Sequence, residues 1–179
     1  MFLLPYENLL LKTNLSIEEQ RSRLKKIVGK RRLFSFIPDL RFDYAGTIEN
    51  NEFKISRNIG YKNSFKPIII GKLMDTGYQR TYIHLIMRPN LIVAVFLLFW
   101  FGGAFFILFG TLISSSPKFT VFSIEIYPYV LPLLFIMFGY GILIFGFKIE
   151  SNRSKKDLIK LFDAYQVEEI KLTNHMNSP

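Results

Sequence analysis

Few residues in this chain have types and spacings suited to chemistry. Two histidines occur, His84 inside an apolar run and His175 in a polar tail, and neither pairs with another ligand at metal-binding spacing. Without cysteine there is no thiolate ligand, Cys nucleophile or disulfide. No Gly-rich phosphate loop, Ser-centred elbow or H-E-x-x-H motif is present, and the acidic residues are scattered. These observations favour a non-enzyme that needs no cofactor and no metal.

Two basic segments could instead bind. One is the helix-like stretch around Arg21 and Lys25 with its exit at Arg31 and Arg32. The other runs from Arg57 to Pro67 and gathers Arg57, Lys62, Asn63 and Lys66 between two strand-like runs. Either could meet anionic headgroups, since a basic residue near an anionic leaflet gains roughly 1 kcal/mol. Either could also be a solvated face or, for the second, an Asn-Ser turn with Phe65 in the core. Charge without a recognition motif disfavours nucleic acid.

The elements that must position these residues follow from composition. The chain has 179 residues, 50% hydrophobic, with 19 Phe and a net charge of +9. That is too apolar for disorder. Leu91–Ile113 and Tyr127–Phe147 carry no charge, and each is long enough to cross a hydrocarbon core of ~30 Å as a helix. The start of the chain lacks the basic region of a signal peptide. Lys72, Arg80 and Arg88 precede the first span, and Lys148, Arg153, Lys155, Lys156 and Lys160 follow the second, against Lys118 alone in the intervening 114–126 loop. The positive-inside rule then puts both termini in the cytoplasm. The spans hold no ionisable group, which argues against a pump or secondary transporter. Gly103 and Gly110, and likewise Gly139 and Gly146, lie seven positions apart, so each pair shares a helix face. Such faces permit close packing, either between the two spans or across a homodimer.

Outside the spans, Tyr6–Asn14 reads as a strand. Ser16 and Glu19 form a capping box for a helix over Ile17–Val28, with Gly29 suited to its left-handed end. Period-two alternation from Arg41 to Met87 predicts a hairpin turning at Asn50-Asn51, a strand at Pro67–Leu73, a turn at Asp75-Thr76-Gly77 and a strand at Gln79–Met87. Ser154–Val167 reads as a separate helix capped by Ser151 or Ser154, its apolar stripe (Leu158, Ile159, Leu161, Phe162, Tyr165) covering the sheet or lying on lipid. The expected fold is α+β: a small, mostly antiparallel sheet with an N-terminal and a C-terminal helix, interrupted by a transmembrane hairpin. In domain terms, 1–90 is a cytosolic part, 91–147 the hairpin, and 148–179 a helix and tail returning to the sheet.

Phe42, Gly46 and Ile48, followed by Asn51, Phe53, Lys54, Ile55, Arg57, Ile59, Tyr61, Asn63, Ser64, Phe65, Pro67, Ile69 and Gly71, and closed by Met87-Arg88, make an F-x-x-x-G-x-I … N-x-F-K-I-x-R-x-I-x-Y-x-N-S-F-x-P-x-I-x-G pattern. The chain resembles, over roughly residues 15–150, a family of small bacterial membrane proteins with two spans and no characterised activity. It departs in having Tyr78 after Gly77, where the family has Thr. The resemblance implies a multi-pass protein of the inner membrane. Two functions stay open: a membrane-tethered binding or adaptor domain contacting anionic lipid, partner proteins or a second copy, and a carrier enclosing a lipid or hydrophobic ligand between a curved sheet and a gripping helix.

Overall fold

Alternating apolar residues between Tyr44 and Arg88 build the centre of a sheet that the rest of the chain completes. A computed structural model describes residues 4–30, 39–61, 63–75, 81–114, 119–121 and 124–167. In order these give β1 (Glu7–Thr13), α1 (Ile17–Ile27), β2 (Val28–Lys30), β3 (Tyr44–Glu49), β4 (Glu52–Arg57), β5 (Ile68–Asp75), β6 (Thr81–Arg88), α2 (Leu91–Ile113), β7 (Phe119–Val121), β8 (Ile124–Ile126), α3 (Val130–Leu161) and β9 (Ala164–Val167). Among the described residues seven strands form one sheet, ordered β2-β3-β4-β5-β6-β1-β9. Only β2 and β3 pair in parallel; the other neighbours are antiparallel.

The Ser16 hydroxyl accepts from Glu19 N, so the N-cap half of the expected box forms and α1 starts where expected, while the Glu19 carboxylate accepts from Arg23 at 2.9 Å. Its end differs. Val28 is extended and Gly29 is a strand residue rather than a left-handed cap. A Cβ on Gly29 would sit 2.6 Å from the Phe42 ring, so glycine is needed there for packing. The hairpin turn falls at Asn50, which takes φ 49°. Residues 76–80 of the second expected turn and strand lie outside the described residues.

The largest departure is at the C-terminal end. No break separates the second apolar stretch from the helix that follows. α3 runs 32 residues, about 48 Å, from Val130 to Leu161. Ser151 and Ser154 are therefore buried mid-helix residues and not caps. The helix stops at Phe162, Asp163 takes φ 47°, and Ala164–Val167 pairs with β1 as an edge strand. Tyr165, expected on the helical stripe, is thus an exposed strand residue. The loop between the apolar helices also holds a short β7–β8 hairpin.

The core lies on one face of the sheet. Leu9, Leu11, Phe53, Ile55, Ile69, Leu73, Ile83, Leu85 and Met87 form one cluster with Leu24 of α1 and with Phe147, Leu158 and Phe162 of α3 and its end. Leu158 and Phe162 occupy the positions expected of a covering stripe. α2 and α3 pack on each other beyond the sheet, Trp100 stacking on Phe135 with ring centroids 4.1 Å apart. Both helices are long and apolar enough to cross a membrane, and their large side chains point outward: Phe106 is 82% exposed and Phe145 70%.

Candidate functional site

The polar groups converge where α3 leaves the apolar hairpin and meets the sheet. β6 ends at Arg88 just before α2, so Arg88, Ile68 and Arg57 mark the hairpin-proximal end of the sheet. After β4, the chain loops out and returns at β5. Asn58 ties the loop's start by donating to the carbonyls of Asp39 and Phe42 at 3.1 and 2.9 Å. Asn63 accepts from Phe65 N at 3.0 Å, an Asx turn, and Lys66 Nζ donates to Arg57 O at 2.9 Å. The loop then docks on α3. Asn63 Nδ2 donates to Gly146 O at 3.0 Å, and a Cβ on Gly146 would be 3.1 Å from Phe65 Cβ.

One turn further along α3, Glu150 is completely buried. Its Oε1 accepts from the Tyr61 hydroxyl and from Arg153 Nη1, the latter at 3.2 Å. Arg57 reaches across from β4, with Nη1 3.8 Å from Glu150 Oε2 and Nη2 3.1 Å from Asp157 Oδ2. Glu150, Ser154 and Asp157 follow i, i+4, i+7 spacing and so share a helix face. Tyr44 lies beside Ser154 under this cluster. Burial pushes its phenol pKa up, only partly offset by the Ser154 hydroxyl. The Tyr61 pKa is also raised, by desolvation first and then by its hydrogen bond to Glu150.

A second clamp holds the other side of the helix. Glu7, at the start of β1, accepts from Lys148 Nζ at 2.9 Å and Ser151 Oγ at 2.8 Å. A third closes the far end. Phe162 O accepts from Thr13 Oγ1 and from buried Gln20 Nε2, both at 2.9 Å, while Arg23 donates to Leu161 O at 3.0 Å. These donors satisfy carbonyls that a helix terminus would otherwise leave bare.

The residues singled out by sequence divide among these places. Arg57, Asn63 and Lys66 come together at the junction, each bonded inside the protein. Arg21 is elsewhere: it donates to Asn50 O and Asn51 Oδ1 at the β3–β4 turn. That turn bonds Leu73, five positions along β5 from Ile68, so it lies ~17 Å up the sheet. Lys25 is exposed on α1. Arg31, Arg32 and Lys62 lie outside the described residues. Of the glycines, Gly139 meets the other apolar helix, its Cβ position 2.7 Å from Trp100 Nε1, whereas Gly146 receives the loop. Gly103 and Gly110 face open space.

Sequence reasoning placed Tyr61 in the Arg57–Pro67 segment without a role and missed Glu7, Lys148, Glu150, Arg153 and Asp157 as site residues. The available signal was the polar heptad Glu150, Ser154, Asp157 directly after an uncharged run. Where the carrier alternative requires a cavity, between sheet and helix, Phe53, Phe147, Leu158 and Phe162 pack in one buried cluster. An apolar groove of about 410 Å3 lies instead between α2 and α3, beside Trp100, Gly103, Ile107 and Phe135. His84 Nε2 is 2.6 Å from Asn8 Oδ1, and among the described residues no three acidic or histidine side chains gather as a metal site. No family model, curated protein or solved structure matches the chain. Function must therefore be argued from the chain's own geometry.

Proposed function

We propose that this is a multi-pass protein of a bacterial inner membrane, with α2 and α3 as a transmembrane hairpin and the α+β part as a cytoplasmic binding or adaptor domain. The observation that carries the reading is α3 itself. Its first part is uncharged with apolar side chains outward, and its second part is clamped into the sheet by ion pairs. One rigid element thus joins a lipid-facing surface to a folded domain. At ~1.5 Å per residue the helix exceeds a ~30 Å hydrocarbon core, so its charged part must emerge.

The sheet's Arg88 end then stands at headgroup level. Arg57 and Lys66 are engaged within the fold, which favours a structural role for them over lipid capture. Arg21, ~17 Å up the sheet, is beyond the ~8 Å range of a leaflet's charge in physiological salt. Protein partners are accordingly favoured over anionic lipid, and the filled sheet–helix interface gives the carrier reading no support.

The chain has no cysteine, so single cysteines report topology cleanly. Ser22→Cys on exposed α1 and Ser114→Cys at the end of α2 are treated with a membrane-impermeant maleimide in intact cells. Labelling of Ser114→Cys alone is expected, with Ser22→Cys labelled only after lysis. Equal labelling of both, or release of the protein by alkaline carbonate, overturns the reading.

A further inference from the structure

The sheet has a second face that the mechanism of anchoring leaves unused. Strand positions alternate between faces, and on β1, β5 and β6 the odd-numbered positions form the core. Of the even-numbered positions, Leu10, Ile68, Ile70, Met74 and Ile86 are apolar and Tyr82 is aromatic, whereas Asn8, Lys12, Lys72, His84 and Arg88 are polar. β5 begins Ile68-Ile69-Ile70, β6 carries Leu85-Ile86-Met87, and β1 carries Leu9-Leu10-Leu11. Unbroken apolar runs of this kind characterise strands covered on both faces, whereas a sheet with one wet face alternates. Yet α1 and α3 supply the buried core partners on one side, whereas on the other Leu10 is buried and Ile68, Ile70, Met74, Tyr82, His84 and Ile86 are half-buried. Among the described residues no helix contributes to that side.

The charges there are of one sign. The register aligns Ile68 with Arg88, Ile70 with Ile86, and Tyr82 with Lys12. Lys12 lies over the Tyr82 ring at 5.7 Å. Lys72, at the rim toward β4, is paired with Glu52. No carboxylate of β1, β5 or β6 shares this face, because Glu7 and Asp75 fall on the other parity.

We infer that this basic, apolar face of β1, β5 and β6 docks an acidic amphipathic helix of a partner protein. The inference rests on the cytoplasmic adaptor reading and supplies its partner chemistry. A helix is the element this sheet already uses to cover its other face. A second copy would bring the same cations against Lys12 and Arg88, in a chain of net charge +9, so self-association is opposed. The bilayer is also a poor cover. β6 ends two residues before α2, so the Arg88 end of the face is the one tied to headgroup level, and Tyr82 with its neighbour Lys12 lies six strand positions, ~20 Å, farther along.

The test uses the full-length protein in its own membranes. Benzoylphenylalanine replaces Ile70 or Tyr82, with Ser22 on the helical layer as the control position, and irradiation is followed by sequencing of the adduct. The expected adduct forms from both face positions and not from Ser22. Its peptide is rich in Asp and Glu, with apolar residues at three- and four-residue spacing. Combined Lys12→Glu and Arg88→Glu should cut its yield at least ~10-fold, while Lys12→Arg with Arg88→Lys keeps it, which separates charge from folding. An adduct with a second copy, with lipid or with a basic segment, no adduct, or a yield indifferent to charge reversal overturns the inference. Its failure leaves the cysteine-labelling pattern untouched, so the two proposals fail separately.

Discussion

A carboxylate as deeply buried as that of Glu150 is costly unless it is paired and hydrogen-bonded. Arg153 and Tyr61 hydrogen-bond its Oε1, and Arg57 faces Oε2 at 3.8 Å as an ion pair without a hydrogen bond, so the side chain works as a positioning group that fixes the loop, β4 and α3 together. Tyr44 beneath it gives a measurable consequence. Its pKa is raised by burial, whereas in the unfolded chain a tyrosine titrates near ~10. Above that pH the unfolded chain has lost the proton and the folded protein still holds it. The folded state then binds more protons, so stability falls as pH rises from ~10 toward the raised folded value. Tyr44→Phe keeps the buried ring and removes the titration. Thermal unfolding in detergent micelles should give similar midpoints for both proteins at pH 7–9, and a steeper loss in the parent above pH 10. Lysines and the other tyrosines act equally on both chains, so parallel curves would mean that water reaches the Tyr44 hydroxyl.

Elements were legible in the sequence where their pattern was long enough to repeat. The capping box at Ser16, the alternation through Phe53 and Ile55, and the two uncharged stretches each extend over several periods. Three-residue β2, β7 and β8 are too short to repeat the two-residue strand period, and β9 was hidden because Leu158, Leu161, Phe162 and Tyr165 fit a helical stripe. What ends the helix is Asp163 in a left-handed conformation, together with Thr13 and Gln20 taking up the Phe162 carbonyl, pairings 149 and 142 positions long that no local window contains. The site was half legible for the same reason. Asn63 and Arg57 stood out, but Glu150, their counterpart, lay across the hairpin in sequence. Continuity of α3 can be tested directly. Two alanines inserted between Phe147 and Lys148 rotate everything beyond by ~200°, turning Glu150, Ser154 and Leu158 away from the sheet. Limited proteolysis should then cleave the sheet domain rapidly while the protein remains in the membrane fraction. Unchanged protection would mean that α3 is hinged at that point rather than rigid.

At the scale of the whole molecule, one core is assembled from chain on both sides of the hairpin. Leu9, Leu11, Phe53 and Ile83 precede it, and Leu158 and Phe162 follow it. A fragment of residues 1–90 lacks α3 and β9, leaving the core face of β1, β4 and β6 bare and the Thr13 and Gln20 side chains without the Phe162 carbonyl. It should show no cooperative unfolding. The ends to be rejoined are close, because Met87 pairs with Glu7 and the Glu7 carboxylate holds Lys148 at 2.9 Å. A flexible Gly/Ser linker of about ten residues spans ~16–19 Å on average, ample for that separation. Replacing 91–147 by such a linker should therefore yield a soluble, monomeric domain. It would lose Phe147 and the Gly146 seat for Asn63 and Phe65, so its unfolding midpoint falls below that of the parent while the transition stays cooperative. Soluble expression with one sharp transition by circular dichroism establishes a single interrupted domain. A cooperative transition in the 1–90 fragment itself would show instead that the sheet stands alone and that α3 is only a tether.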